Sequence, residues 1–211
     1  MEILWYGLSC FRFTERGFAT VVTDPYSDIL GLPPLKLKAD IVAVSHNASG
    51  HNNVQAIKGS EHHLIGPGEY EIGNVFIIGI ATEQEIPEQQ NVLYLFDYDG
   101  LTIAHLGDMH KVPTQAQIEA LEQVHVLLVP VGGGNSLNAA QAAEIVSMLE
   151  PNIVIPMHYQ TNGLQLELDS VERFLKEMGI TDAPTENSLK ITTGSLPEET
   201  QVILLAPRLG S

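Results

Sequence analysis

Side chains of the types that bind metals follow three apolar strands of the predicted fold. His46 and His51 share one loop, residues 45–51, directly after the apolar run 41–44, which is typical of a buried strand. Asp108 follows the predicted strand 101–105, and His158 follows the predicted strand 153–156. Because α/β scaffolds build their sites from loops at strand ends, we predict that these four side chains converge at one edge of the sheets.

Five segments carry a resemblance to the metallo-β-lactamase fold superfamily. They are residues 5–11, 23–25, 45–51, 105–108 and 155–159, which include Asp-Pro at 24–25, Leu-Gly-Asp at 106–108 and Met-His-Tyr at 157–159. The loop at 45–51 resembles the superfamily signature His-x-His-x-Asp-His. Within the superfamily, the chain is similar to bacterial hydrolase-like proteins related to L-ascorbate-6-phosphate lactonase. This resemblance implies an α+β fold, a four-layer αββα sandwich, formed by residues 1–211 as a single domain.

The signature loop departs from the superfamily pattern at the positions of several metal ligands. Ala48 stands where the resemblance places a second His, and Gly50 stands where it places an Asp. The third His of the pattern would fall near Gln84. The resemblance therefore implies a degenerate version of a site that holds two zinc ions in complete members.

The ligands that the resemblance leaves are enough for one metal ion and too few for two. His51, Asp108 and His158 remain of the second site, and His46 and Asp108 remain of the first. Zinc takes about three protein ligands in catalytic sites, but two His and one carboxylate also suit Fe²⁺ or Mn²⁺. We therefore expect one divalent ion or none.

Other polar residues are candidates for the lining of the same cleft. His105 and His110 flank Asp108. His105 either supports a ligand or points to the opposite face of its strand, and His110, beyond the turn, is a candidate to replace a lost ligand. Glu69 lies in a Gly-Glu-Tyr-Glu segment that resembles one in the lactonase-related subgroup, and Gln84 occupies the place of the third His. The loop 132–136 precedes a predicted helix and is either an anion site or a flexible turn.

Composition excludes several functional classes. Ten Lys and Arg against 26 Asp and Glu give a formal charge of −16, which argues against a nucleic-acid or anionic membrane partner. The single cysteine, Cys10, cannot form an intrachain disulfide and fits a cytoplasmic protein. We see neither a signal peptide nor an apolar run of the ~20 residues that a membrane span needs.

Local patterns predict the order of the elements. Asp99-Gly100 and Gly73-Asn74 each join two strands of a hairpin, and residues 53–58 are predicted to begin a helix. Further along the chain, strands alternate with helices, of which Thr114, Asn138 and Asp169 are the predicted caps.

The sequence supports two functional hypotheses. In the first, the protein is a hydrolase with at most one metal ion that acts on a small ester, lactone or phosphorylated metabolite. In the second, it is a metal-free pseudoenzyme that serves as a binding or regulatory protein.

Overall fold

The computed structural model describes residues 1–82, 90–121 and 123–209. The strands are β1 (Glu2–Trp5), β2 (Phe11–Thr14), β3 (Val21–Thr23), β4 (Leu37–Lys38), β5 (Ile41–Ala43), β6 (Ile57–Lys58), β7 (His62–Leu64), β8 (Gly68–Ile72), β9 (Val75–Ala81), β10 (Val92–Tyr98), β11 (Leu101–His105), β12 (Val126–Pro130), β13 (Ile153–Met157), β14 (Thr185–Glu186), β15 (Leu189–Lys190), β16 (Gln201–Val202) and β17 (Leu204–Leu205). The helices are α1 (Gln115–Ala120), α2 (Ala139–Leu149) and α3 (Val171–Glu177).

Two mixed sheets form the centre of the fold. One has six strands in the order β15-β1-β2-β3-β5-β7, and the other has seven in the order β16-β13-β12-β11-β10-β9-β8. In the first, β3, β5 and β7 are parallel; in the second, β11, β12, β13 and β16 are parallel. The predicted hairpins β8/β9 and β10/β11 are confirmed as antiparallel pairs. The carboxyl ends of the parallel strands carry the loops that contain the predicted ligands.

The two sheets bury their facing sides against one another. Phe13 of the first sheet meets Phe96 of the second edge to face, with ring centroids 5.3 Å apart. The hydroxyl of Tyr94 donates to the Val44 carbonyl at 3.2 Å, which ties β10 to the end of β5. Such close packing of large apolar side chains makes this inner layer a rigid base for the loops at its edge.

The outer faces of the two sheets are covered differently. Helix α2 packs on β12 and on α3 and buries Ala142, Ile145 and Val146. The outer face of the six-stranded sheet carries its own apolar cluster, which includes Tyr6 and Val42. In the described residues that cluster is covered by short 3₁₀ turns, the β4/β6 ladder and loops, and no α-helix lies there. The predicted α+β sandwich is confirmed, with an outer layer that is thin on this side.

The helix predicted over residues 53–58 is wrong. The chain makes one 3₁₀ turn, Val54–Ala56, and then enters β6, which pairs with β4. The side chain of Asn53 donates to the Tyr26 carbonyl at 3.1 Å and makes no cap. Six residues without a cap are too few to offset helix nucleation, so strand pairing prevails.

The three helix caps have different outcomes. The predicted caps Thr114 and Asn138 are confirmed, each in a reciprocal capping box, with Gln117 and Gln141 respectively. The predicted cap Asp169 is wrong, because Ser170 occupies the N-cap position of α3. The Asp169 carboxylate instead pairs with the side chain of Arg173 at 2.7 Å.

Among the described residues, none of the helices combines the length and the apolar character that crossing a bilayer would require.

Candidate metal centre

Four of the sequence-predicted residues, His46, His51, Asp108 and His158, line one cleft of about 1130 Å³. Ligand atoms of His46, His51 and Asp108 lie within 4.8 Å of one another. The distance from His46 Nε2 to Asp108 Oδ2 is 3.8 Å, and the distance from His158 Nδ1 to Asp108 Oδ1 is 3.6 Å. The structure therefore groups His46 with His51 and Asp108 and places His158 beside Asp108.

A buried carboxylate, Asp24, holds the two histidines of the signature loop. Asp24 follows β3 and accepts hydrogen bonds from the Ser45 backbone N–H and hydroxyl, both at 2.7 Å. His51 Nδ1 lies 3.0 Å from Asp24 Oδ2. Because a carboxylate only accepts, the neutral form of His51 carries its proton on Nδ1 and keeps a lone pair on Nε2.

The same network sets the protonation of His46. The Ser45 hydroxyl donates its hydrogen bond to Asp24, so the Ser45 oxygen accepts from His46 Nδ1 at 3.1 Å. His46 Nε2, which faces Asp108, is then the nitrogen with the free lone pair. Orientation of imidazole ligands by oxygen acceptors behind them is typical of protein metal sites.

The Asn91 side chain positions Asp108 by bonding to both ends of the tight turn 106–108. Its side-chain oxygen accepts from the Asp108 N–H at 2.9 Å, and its side-chain nitrogen donates to the Leu106 carbonyl at 3.0 Å. Gly107 has a φ of +64°, and a Cβ there would lie 2.3 Å from Asn91 Oδ1 and 2.5 Å from Ser45 Cβ. Glycine is thus required for the close approach of this turn to the signature loop.

His158 sits in a left-handed backbone conformation with a φ of +51°. Its N–H donates to the Leu8 carbonyl at 3.1 Å, and its Nδ1 lies 3.3 Å from the Ser136 hydroxyl oxygen. A Cβ on Gly132 would come within 2.1 Å of the His158 carbonyl oxygen, so the loop after β12 closes directly on this residue. Non-glycine residues with such backbone angles persist only where the surroundings impose them, often at functional sites.

Charges in the cluster separate into anionic carboxylates and largely neutral imidazoles. Burial alone would raise the pKa of Asp24, but the charge and hydrogen bond of His51 lower it to about 2. Burial likewise opposes ionisation of Asp108, whose pKa is nevertheless lowered by His158, His51 and His46. Burial lowers the pKa of His158 to about 4 and also lowers that of His46. His51 differs because Asp24 outweighs its burial and raises its pKa.

The residues present fit a divalent cation. Asp108 Oδ1 is buried and has no hydrogen-bond partner, which costs free energy unless a ligand pairs with it. Imidazole nitrogens and a carboxylate oxygen are the donors that Zn²⁺, Fe²⁺ and Mn²⁺ accept. A Cβ on Gly50 would lie 3.3 Å from Leu30 Cδ1 and 3.8 Å from Leu8 Cδ1, so apolar side chains flank the place of the absent Asp. Ala48 also lines the cleft without a donor.

The other predicted candidates are placed differently. His110 lines the cleft, whereas His105 and Glu69 are not among its lining residues. His105 is buried, with Nε2 2.9 Å from the Ser9 carbonyl and Nδ1 accepting from the Gly107 N–H at 3.2 Å, so neither nitrogen is left for a ligand. Glu69 is exposed on the edge strand β8. Gln84 lies outside the described residues.

Sequence reasoning did not identify the residues that orient the candidate ligands. These are Asp24, Ser45, Asn91 and Ser136. Asp24 had a signal, since Asp-Pro after a strand is one of the segments that carry the resemblance. Asn91 had none, because its partners Leu106 and Asp108 are set by the tertiary fold.

Comparisons with known proteins agree with this geometry. A beta-lactamase superfamily domain profile matches residues 2–158. A UPF0173 protein of Pyrococcus furiosus is 31% identical over 205 residues, which cover 84% of this chain and 90% of the relative. A UPF0173 metal-dependent hydrolase of Thermoplasma acidophilum is 25% identical over 198 residues, with coverage of 78% and 85%.

A solved structure extends the likeness to nearly the whole chain. It is the crystal structure of a Thermotoga maritima protein of the metallo-beta-lactamase superfamily, proposed to be a Zn-dependent hydrolase. It is 32% identical in sequence, superposes with a TM-score of 0.81 and covers 97% of both chains. The chain therefore belongs to the metallo-β-lactamase superfamily and, within it, to the UPF0173 family of metal-dependent hydrolases.

Proposed function

We propose that the protein is a cytoplasmic hydrolase that binds at most one divalent metal ion tightly and cleaves a small ester, lactone or phosphorylated metabolite. Family membership implies a divalent metal. The observation that carries the proposal is the pairing of a buried, unpartnered Asp108 oxygen with imidazoles whose proton positions are fixed. The thinned ligand set at Ala48 and Gly50 limits the site to one ion.

The residues of this chain have distinct roles in the proposed reaction. His46, His51, Asp108 and His158 hold the ion, and Asp24 and Ser45 keep the loop histidines in the ligating tautomer. A divalent ion at such a position polarises the scissile carbonyl or phosphoryl group and lowers the pKa of water toward neutrality. His110 lines the same cleft, and we assign it proton transfer to the leaving group.

Metal content tests the proposal directly. We expect purified protein from metal-supplemented growth to carry between about a tenth of an equivalent and about one equivalent of metal by plasma mass spectrometry. Asp108→Asn and His46→Gln should lose that metal. His63→Gln is the matched control, because His63 is exposed on β7 and contacts Ser60.

Two outcomes contradict the proposal in different ways. Two tightly held ions per chain would show that the site is not degenerate. Metal below about a tenth of an equivalent, unchanged in Asp108→Asn, would favour the second hypothesis. That hypothesis, a metal-free binding or regulatory protein, draws on the absence of a donor at Ala48 and Gly50.

A further inference from the structure

The walls of the cleft have a chemistry that the metal cluster does not explain. One part of the cleft lining, the leucine wall, is apolar and consists of Leu8, Leu30, Leu166 and Leu168. These side chains belong to the apolar cluster on the outer face of the six-stranded sheet, so they are backed by packed residues. An apolar surface held in place in the same cleft as the metal-ligand cluster is suited to bind an apolar part of a ligand.

A second part of the cleft lining, the polar wall, is polar and uncharged. Asn135, Ser136, Asn138 and Gln141 line it along the loop after β12 and the start of α2. Three backbone N–H groups of this loop donate inside the protein, from Gly133 to Leu137 O, from Ser136 to Gly133 O and from Leu137 to Met109 O. These three N–H groups are therefore not available to an anion, and the side chains of the polar wall offer amide and hydroxyl groups.

The fixed charges in the cleft are acidic. Asp108, Glu167 and Asp169 line it, and no Lys or Arg does so among the described residues. Arg173 pairs with Asp169 at 2.7 Å, but the Arg173 side chain is 67% exposed. The undescribed residues 83–89, 122 and 210–211 contain no Lys or Arg in the sequence, so they cannot supply a cation. Recognition of phosphate or carboxylate groups normally uses Arg or Lys, and it is disfavoured here.

We infer that the substrate is an uncharged ester or lactone with an apolar substituent, and not a phosphorylated or carboxylated metabolite. The carbonyl lies over the His46, His51 and Asp108 cluster, and the apolar substituent lies against the leucine wall. The assignment of a carbonyl rests on the proposed function. The selectivity for an uncharged substituent rests on the walls alone, and the two can be tested separately.

Equilibrium binding to the metal-loaded protein tests the selectivity without turnover. The probes are the non-hydrolysable anilides N-(4-nitrophenyl)butanamide and N-(4-nitrophenyl)succinamic acid, which differ in a terminal methyl against a carboxylate. Ligand-observed NMR titration should show the neutral anilide binding about tenfold more tightly or better. A tenfold difference in affinity is roughly what repulsion between the carboxylate of the acid probe and one cleft carboxylate about 10 Å away would cause at an effective dielectric constant near 20.

A charge introduced into the polar wall supplies the matched comparison. Asn135→Lys places a cation in the cleft and should bring the preference for the neutral anilide close to one or reverse it. Ser147→Lys adds the same charge on an exposed part of α2 outside the cleft, and we expect it to keep the parent preference. Equal or tighter binding of the acid by the parent protein would overturn the inference. So would the failure of both anilides to bind at millimolar concentration.

Turnover of the corresponding esters separates this inference from the proposed function. Hydrolysis of 4-nitrophenyl butyrate with slower hydrolysis of the hemisuccinate ester supports both. Equal hydrolysis of the two esters, or faster hydrolysis of the hemisuccinate, overturns the selectivity and leaves the hydrolase proposal standing. Selective anilide binding with no hydrolysis of either ester supports the selectivity and counts against the hydrolase proposal.

Discussion

Replacement of Asp24 by Asn tests whether the signature loop is held by a buried charge. Asp24 is fully buried and accepts three hydrogen bonds, two from Ser45 and one from His51. An Asn in its place keeps one acceptor oxygen and presents an NH₂ group where Oδ2 accepts from His51. Either the His51 hydrogen bond is lost, or His51 moves its proton to Nε2 and loses the lone pair that faces the cluster.

The expected magnitude follows from the lost bond. A hydrogen bond to a charged group contributes about 1.5–3 kcal/mol, and the buried groups left unpaired add to the cost. We expect Asp24→Asn to lower the free energy of unfolding by about 2–3 kcal/mol, which is roughly 5–10 °C in Tm for a chain of this size. Metal affinity should fall roughly 10–100-fold, as for other groups that orient imidazole ligands.

The control is Asp99→Asn. Asp99 also has a left-handed backbone, with a φ of +54° against +39° for Asp24, but it is exposed in the β10/β11 turn. Both substitutions therefore make the same chemical change on similar backbone, and only Asp24 has the buried partners. Urea unfolding of the chelator-treated proteins measures stability, and competition with a chromogenic chelator measures metal affinity. Equal stability of the two variants within about 0.5 kcal/mol would refute the assigned role of the carboxylate.

The pH dependence of this difference has a definite sign. The folded pKa of Asp24 is about 2, below the usual value of an unfolded Asp. Its stabilising contribution is therefore fully present above about pH 4 and is lost as the pH falls toward 2. The gap in unfolding free energy between parent and Asp24→Asn should narrow in that range. Because Asp24 also raises the pKa of His51, the gap should narrow again as the pH rises through the pKa of folded His51, above its usual value of 6.5.

Three further changes test other parts of the site. Gly107→Ala should destabilise the fold by about 3 kcal/mol or more, because the new Cβ would overlap two buried side chains. Gly100 has open space around it, so Gly100→Ala should cost about 1 kcal/mol when both variants are compared in thermal melts. Cys10 is buried, and burial together with the Asp24 charge raises the pKa of its thiol. Ellman's reagent should therefore react with the native protein at about a hundredth of the rate for the unfolded protein or less. Fast reaction of the native protein would contradict this prediction. Gly50→Asp should raise the metal content of the protein only when Leu30→Ala makes room for the new side chain. Leu30→Ala alone should leave the metal content unchanged. A gain in metal content from Gly50→Asp alone would show that Leu30 does not block the position.

Elements with strong local signals were predictable from sequence. The Asp99-Gly100 turn, whose residues have φ values of +54° and +84°, and the capping boxes at Thr114 and Asn138 depend on neighbours within a few residues. The convergence of His51, Asp108 and His158 was also predictable, because each follows an apolar strand and parallel strands end at a common edge.

Elements that depend on tertiary partners were not predictable. The segment at 53–58 has a helical pattern, but pairing of β6 with β4, far apart in the chain, decides its conformation. Asp169 precedes the actual cap Ser170 by one residue, and its backbone bonds to Gly132 and Gln160, which only the tertiary fold brings to it. Asn91 acts on a turn more than ten residues away, and no local pattern distinguishes it from any other Asn before a strand.

The energetic cost of the site bears on the choice between a metal-binding and a metal-free protein. Leu8, Asp24 and His158 all have left-handed backbones around the cluster, and such conformations cost of order 1–3 kcal/mol each. The buried Asp108 oxygen without a hydrogen bond adds roughly 1–3 kcal/mol. A metal-free binding protein would carry these costs with only the His158 imidazole, 3.6 Å away, beside that oxygen, whereas a cation there would turn an acceptor without a hydrogen bond into a ligand. If the second hypothesis were right, Asp108→Asn should leave the metal content of the protein and the ligand affinity of the cleft unchanged; under the first, it should abolish metal binding.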